Sequence, residues 1–181
     1  MSDEKARLFV ALELPAPVRE GLAAWAAREA GGLELRLLQP EMLHVTLCFL
    51  GWRPAADAER IGELALACAA PVPELAAASV AWLPPRRPRV LAVELDDPTG
   101  AAADLQGRVS EGLARGAGYE PERRPWRPHV TVGRVPKGAR VRAGDLEAPP
   151  SARFAGAALT LYRSHLRRQG AQYVPVARAP L

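Results

Sequence analysis

The order strand, helix, strand occurs twice in this chain, and each time the second strand opens with a histidine and a threonine two positions apart. The run Arg7-Leu8-Phe9-Val10-Ala11-Leu12-Glu13-Leu14 resembles Arg89-Val90-Leu91-Ala92-Val93-Glu94-Leu95. A helical stretch follows each, and then come His44-Val45-Thr46-Leu47 and His129-Val130-Thr131-Val132. Glu13 precedes His44 by 31 positions and Glu94 precedes His129 by 35. A repeat of this kind, spanning approximately 7–50 and 89–135, constrains the fold strongly. It predicts one domain over residues 1–181, built as two similar halves about a pseudo-twofold axis, each presenting one histidine to a shared cleft.

The remaining pattern fills in around the repeat. Pro17 suits the first turn of a helix that carries Val18, Leu22 and Trp25 and ends at Gly31-Gly32. Leu35 to Leu38 reads as a short strand, and His44 to Leu50 as a longer one stopped by Gly51. A second helix spans Asp57 to Cys68. Strands follow at Ala76 to Leu83 and Arg89 to Leu95, separated by the stiff basic connection Pro84 to Pro88. A third helix runs from about Thr99 to Arg115, with Leu105, Val109 and Leu113 four apart, and Gly116 and Gly118 end it. Beyond the loop Glu120 to Pro128 lies the strand His129 to Val135, then an irregular loop over 136–150. Arg153 to Leu166 and Ala171 to Ala177 read as a closing hairpin around Arg167-Arg168-Gln169-Gly170.

Composition excludes several classes. The start of the chain lacks the basic-then-apolar order of a secretory signal, and no run approaches membrane-spanning length, so a cytoplasmic, soluble protein is expected. Cys48 and Cys68 are too few for a disulfide scaffold and are expected to pack as small hydrophobes. The net charge is +4, and Lys5 and Lys137 are the only lysines among 24 basic residues. Arginine offers a planar fork suited to phosphate, but an Arg-, Ala-, Gly- and Pro-rich codon bias accounts better for the count itself, and the phosphate reading is kept for particular arginines.

In a strand His44 and Thr46 share one face, with Val45 and Leu47 on the other, and the same holds for His129 and Thr131. Two imidazoles and two hydroxyls would then converge. That set lacks a Ser or Cys nucleophile beside a base, and it lacks the carboxylate pair of glycoside hydrolysis. It suits in-line attack on a phosphodiester: one imidazole accepts a proton, one donates, and the threonines hydrogen-bond the phosphate oxygens. Zinc is the weaker alternative. Two histidines fall short of its usual three or four ligands, though strict alternation puts Cys48 on the His44 face. No metal and no cofactor are expected.

These residues resemble a known family, the RNA 2',3'-cyclic phosphodiesterases, also called 2'-5' RNA ligases, of the two-histidine phosphoesterase superfamily. The resemblance covers the opening Arg7 to Leu12, the run Leu43-His44-Val45-Thr46-Leu47-Cys48-Phe49-Leu50-Gly51, and the run Arg127-Pro128-His129-Val130-Thr131-Val132-Gly133-Arg134. It extends to the tail Leu161-Tyr162-Arg163-Ser164-His165-Leu166 with Gly170 and Tyr173. It implies a bilobed α+β fold whose two antiparallel sheets form a cleft, with helices packed outside. It implies metal-independent hydrolysis of a 2',3'-cyclic phosphate at an RNA end to a 2'-phosphate, with joining of ends through a 2'-5' bond as the reverse chemistry. His44 would be the proton donor and His129 the proton acceptor. Thr46, Thr131 and Arg134 would bind phosphate. Strict alternation, however, sets Arg134 on the face opposite His129, so that assignment requires a bulge or strand twist.

Arg127, Trp126 and Tyr162 are candidates for RNA contact. Arg123 and Arg124 fit a solvated loop at least as well as a nucleic-acid groove, His165 reads as a hairpin surface residue rather than a catalyst, and Phe49, alternating with Val45 and Leu47, reads as a core residue rather than a base-stacking platform. The expected partner is an RNA end bearing a cyclic phosphate, bound by a monomer without a membrane. Two further readings stay open: a non-catalytic RNA-end binding module, and a phosphodiesterase for a small cyclic nucleotide or ADP-ribose cyclic phosphate.

Overall fold

Leu8, Val10 and Leu12 of strand β1 (Lys5–Glu13) are fully buried, while Arg7, Phe9, Ala11 and Glu13 take the alternate face. This division into a core face and a second face holds across the computed structural model, which describes residues 4–167 and 170–181. After β1 come α1 (Ala16–Ala30), β2 (Arg36–Leu37), a 3-10 turn (Pro40–Met42), β3 (His44–Pro54) and a second 3-10 turn (Ala55–Asp57). Then follow α2 (Ala58–Leu66), β4 (Leu75–Leu83), β5 (Val90–Asp96) and α3 (Ala101–Ala117). β6 (His129–Arg134), β7 (Arg153–Phe154), β8 (Ala158–Arg167) and β9 (Gly170–Pro180) complete the chain. The class is α+β.

The strands form one nine-stranded antiparallel sheet in the order β7-β4-β5-β6-β3-β1-β8-β9, with β2 paired to β6. Two separate sheets were expected. They are instead joined, because the first residues of the two His-x-Thr strands meet in the middle through the pair Val45↔Val130. Leu22 and Trp25 of α1, Ile61 of α2 and Leu105, Val109 and Leu113 of α3 share a single apolar cluster with the core face of the sheet. Burial of these large side chains contributes roughly 1.5–3 kcal/mol each.

Two further sequence expectations are corrected. Gly51 does not stop β3: it adopts φ +70, pairs with Leu8, and the strand continues to Pro54. The arm expected from Arg153 to Leu166 is two strands, β7 against β4 and β8 against β1. They are separated at Gly156, where a Cβ would stand 2.7 Å from Leu12 and 3.2 Å from Val72. The turn expected at Arg167 to Gly170 includes Arg168 and Gln169, which lie outside the described residues. The irregular loop over 136–150 is anchored to the core by two indoles: Trp25 Nε1 donates to Glu147 O and Trp82 Nε1 to Gly144 O, each at 3.1 Å.

Candidate active site

The two histidines occupy corresponding places in their strand pairs. His44 pairs with Glu13 and Thr46 with Ala11, just as His129 pairs with Glu94 and Thr131 with Ala92. In each pair the register then slips by one residue. Cys48 pairs with Val10 and Gly133 with Leu91, so the fourth residue of each motif, Leu47 or Val132, is the extra residue of a β-bulge. Two consecutive residues therefore face the core in each strand: Leu47 with Cys48, and Val132 with Gly133.

That single device re-aims everything downstream. Arg134, which alternation sets opposite His129, returns to the histidine's face and lines the cleft. Cys48 leaves the His44 face and is 1 % exposed in the core, where burial pushes its thiol up to about 12. It cannot join His44 in a zinc site. Phe49, expected in the core, is 42 % exposed in the cleft, with the Arg7 guanidinium 4.6 Å from its ring centroid. Phe49 and Arg134 each stand five residues after their histidine.

The cleft has a volume of about 1310 Å³, and its walls include His44, Thr46, His129, Thr131 and Arg134. Both imidazoles are held alike. His44 Nδ1 donates to Met42 O at 2.8 Å and His129 Nδ1 to Arg127 O at 2.9 Å. A carbonyl oxygen only accepts, so Nδ1 carries the proton in both rings and Nε2 is left for chemistry. His44 Nε2 lies 3.2 Å from Thr46 Oγ1.

The surroundings of His44 are apolar and aromatic. Phe9 stacks on it at 5.0 Å between ring centroids, and Tyr173 of β9 meets it edge-on at 5.3 Å. Burial pushes its imidazole down to about 4. The carbonyl of Met42 opposes this shift, and the nearby charges of Arg134 and His129 add to it.

Tyr162 is not a wall of the cleft. Its ring stacks behind Phe9 at 5.3 Å and its hydroxyl donates to Glu13 Oε1 at 3.0 Å. Glu13 also accepts from Thr160 Oγ1 and from Arg178. Burial would raise the Glu13 carboxyl, but the bonds from Arg178, Thr160 and Tyr162 outweigh it and hold the group below its ordinary value. The aromatic contacts that sequence reasoning missed are Phe9 and Tyr173. The strand phase of β1 gives a signal for Phe9, whereas Tyr173 depends on the fold of the β8–β9 hairpin.

On the other wall, Trp126 Nε1 donates to Thr46 O at 3.0 Å, tying the loop before β6 to β3. Arg127 is ion-paired with Glu94 at 2.5 Å, and Ser79 Oγ donates to the same carboxylate at 3.0 Å. Arg123 and Arg124 also line this side, while His165 lies in a separate basin. Among the described residues, no three of His, Cys, Asp and Glu come together at metal-ligating range.

The sequence from residue 14 to 168 matches the family model of the 2'-5' RNA ligase superfamily. The chain belongs to that superfamily. Over 179 residues it is 29 % identical to an RNA 2',3'-cyclic phosphodiesterase of Escherichia coli, covering 97 % of this chain and 96 % of the relative. An RNA 2',3'-cyclic phosphodiesterase of Aeropyrum pernix is 30 % identical over 110 residues, covering 60 % of this chain and 61 % of the relative. The crystal structure of E. coli LigT complexed with 3'-AMP superposes with a TM-score of 0.81 at 28 % identity, over 98 % of this chain and 99 % of that one. This 2'-5' RNA ligase superfamily member thus shares its architecture with a solved relative over nearly its full length.

Proposed function

We propose that this chain hydrolyses the 2',3'-cyclic phosphate at RNA ends to a 2'-phosphate by two-histidine acid–base catalysis. The observation that carries the reading is the matched pair of imidazoles, each fixed through Nδ1, beside two threonines and an arginine re-aimed by a bulge. Water attacks phosphorus and gives a proton to His129 Nε2. The P–O3' bond breaks, and His44 Nε2 protonates the departing 3' oxygen. Thr46, Thr131 and Arg134 hold the non-bridging oxygens, where charge builds up. These groups supply a donor, an acceptor and charge stabilisation, so the reaction invokes no metal or cofactor and activity is expected to persist in a chelator. With an RNA 5'-hydroxyl in place of water, the same site joins ends through a 2'-5' bond. Arg127 and Trp126 flank the cleft as RNA contacts, and Tyr162 supports Phe9 and His44 from behind.

One observation favours exchanging the two roles: His44 is depressed to about 4 and is neutral near pH 7 in the free protein. A bound phosphodiester anion offsets the charges of Arg134 and His129 and raises His44 toward the range of a working acid. A cyclic substrate with sulfur at the 3' bridging position separates the two assignments, because a thiolate leaves without a proton. On this substrate His44→Ala is expected to recover activity and His129→Ala is not; the opposite pattern exchanges the roles. On the ordinary substrate either variant should lose about 10²–10⁴-fold, the usual contribution of a positioned acid or base. A folded His44→Ala or His129→Ala protein with full turnover sinks the reading. Binding of cyclic-phosphate RNA without any turnover by the wild type supports the RNA-end binding module instead.

A further inference from the structure

β3 carries a second bulge. Phe49 pairs with Phe9 but Gly51 with Leu8, leaving Leu50 as the extra residue, and Gly51 at φ +70 supplies the left-handed backbone. Without this slip, Phe49 and Trp52, three positions apart, would sit on opposite faces of the strand. With it, Trp52 pairs with Arg7 and shares the cleft face with Phe49. Trp52 is 58 % exposed. It lines a smaller basin of about 310 Å³ that shares Arg7 with the main cleft and is also lined by Lys5, Arg163 and Arg167. Every charged wall residue of this basin is basic, and of these Arg163 is paired with Glu4. Moving away from His44 along this face, the paired rings of Phe9 and Phe49 thus give way to Arg7 beside Trp52 and then to Lys5.

We propose that this strip is a second nucleotide subsite, which receives the nucleotide preceding the cyclic-phosphate end. Its base stacks on Trp52, Arg7 meets the phosphate that links it to the terminal nucleotide, and Lys5 meets the phosphate on its 5' side. The proposal rests on the cyclic phosphodiesterase reading and specifies its substrate as an oligonucleotide rather than a mononucleotide. An aromatic platform flanked by cations is the arrangement by which single-stranded nucleic acid is held without sequence preference. Arg7 is already held in place beside that platform, since its Nη1 donates to Ser164 Oγ at 3.2 Å and its guanidinium lies over Phe49.

The test compares kcat/KM for adenosine 2',3'-cyclic phosphate and for an oligoadenylate trinucleotide ending in the same group. Stacking of one base predicts a preference for the trinucleotide of roughly tenfold. Trp52→Ala should abolish that preference and leave the mononucleotide rate unchanged, and Trp52→Phe should retain most of it. Lys5→Gln should lower only the trinucleotide rate and flatten its salt dependence. Equal rates for the two substrates with the wild type, or a preference undiminished in Trp52→Ala, overturns the subsite. If neither substrate is hydrolysed, the cyclic phosphodiesterase reading fails on its own. The relative affinities of trinucleotide and mononucleotide 2'-phosphates, measured for the wild type and Trp52→Ala, then decide the subsite by the same criterion.

Discussion

His44 pays for its position in proton affinity. Its ring is packed between Phe9 and Tyr173, and that burial, together with Arg134 and His129, lowers its pKa from 6.5 to about 4. In the unfolded chain the same imidazole takes up a proton near pH 6.5, so between that pH and about 4 the unfolded state binds more protons than the folded one. Stability from this residue is therefore complete above pH 6.5 and is lost as pH falls toward 4, by about 3 kcal/mol over the whole interval. Replacing His44 with Phe removes the titrating group while keeping an aromatic ring in the same cage. Urea midpoints measured at pH 7 and pH 4.5 should fall further for the wild type than for His44→Phe; equal falls would show that His44 carries no such penalty.

At the scale of the strand, the bulges decide which side chains reach the cleft. Gly51 is the residue in which this dependence is most exposed, because its φ of +70 is costly for any residue with a Cβ. Gly51→Ala is expected to destabilise the protein by about 1–2 kcal/mol and to lower Tm by roughly 2–8 °C. Thermal unfolding followed by circular dichroism measures this directly, and an unchanged Tm would place the bulge's conformational demand elsewhere. These bulges also mark where the sequence stopped being legible. The helices, most strands and the convergence of His44 with His129 follow from hydrophobic period and repetition, which are local. The phase of β3 and β6 beyond each His-x-Thr does not. Leu47-Cys48 and Val132-Gly133 are small or apolar pairs that read equally well as alternating or as doubly core-facing. Strict alternation therefore misplaced Cys48 and Phe49, and it left Arg134 on the wrong side of β6. Only pairing with β1 and β5 settles the phase, and pairing is a long-range property. Tyr162 illustrates the same limit: it belongs to the right hairpin, but its hydroxyl is captured by Glu13 while Tyr173 from the next strand takes the cleft position.

For the molecule as a whole, the candidate phosphate site straddles the seam of the sheet. His44 and Thr46 come from β3, Thr131 and Arg134 from β6, and these two strands register through the single pair Val45↔Val130. A phosphate bound between them adds contacts across a junction that the backbone joins sparsely. A ligand that binds only the folded state stabilises it by RT ln(1 + [L]/Kd), or about 2.7 kcal/mol at one hundred times Kd. For a domain of this size that corresponds to a Tm increase of roughly 5–11 °C. Saturating adenosine 2'-phosphate should therefore raise Tm in a single cooperative transition and slow amide exchange at Val45 and Val130 together. Arg134→Ala, measured at the same ligand concentration, should lose most of the Tm increase while its ligand-free Tm stays close to that of the wild type, since among the described residues Arg134 forms no ion pair that its removal would break. An equal increase in the variant would mean that the anion binds away from β6, and protection gained at only one of the two valines would mean that the ligand rests on one half and does not span the seam.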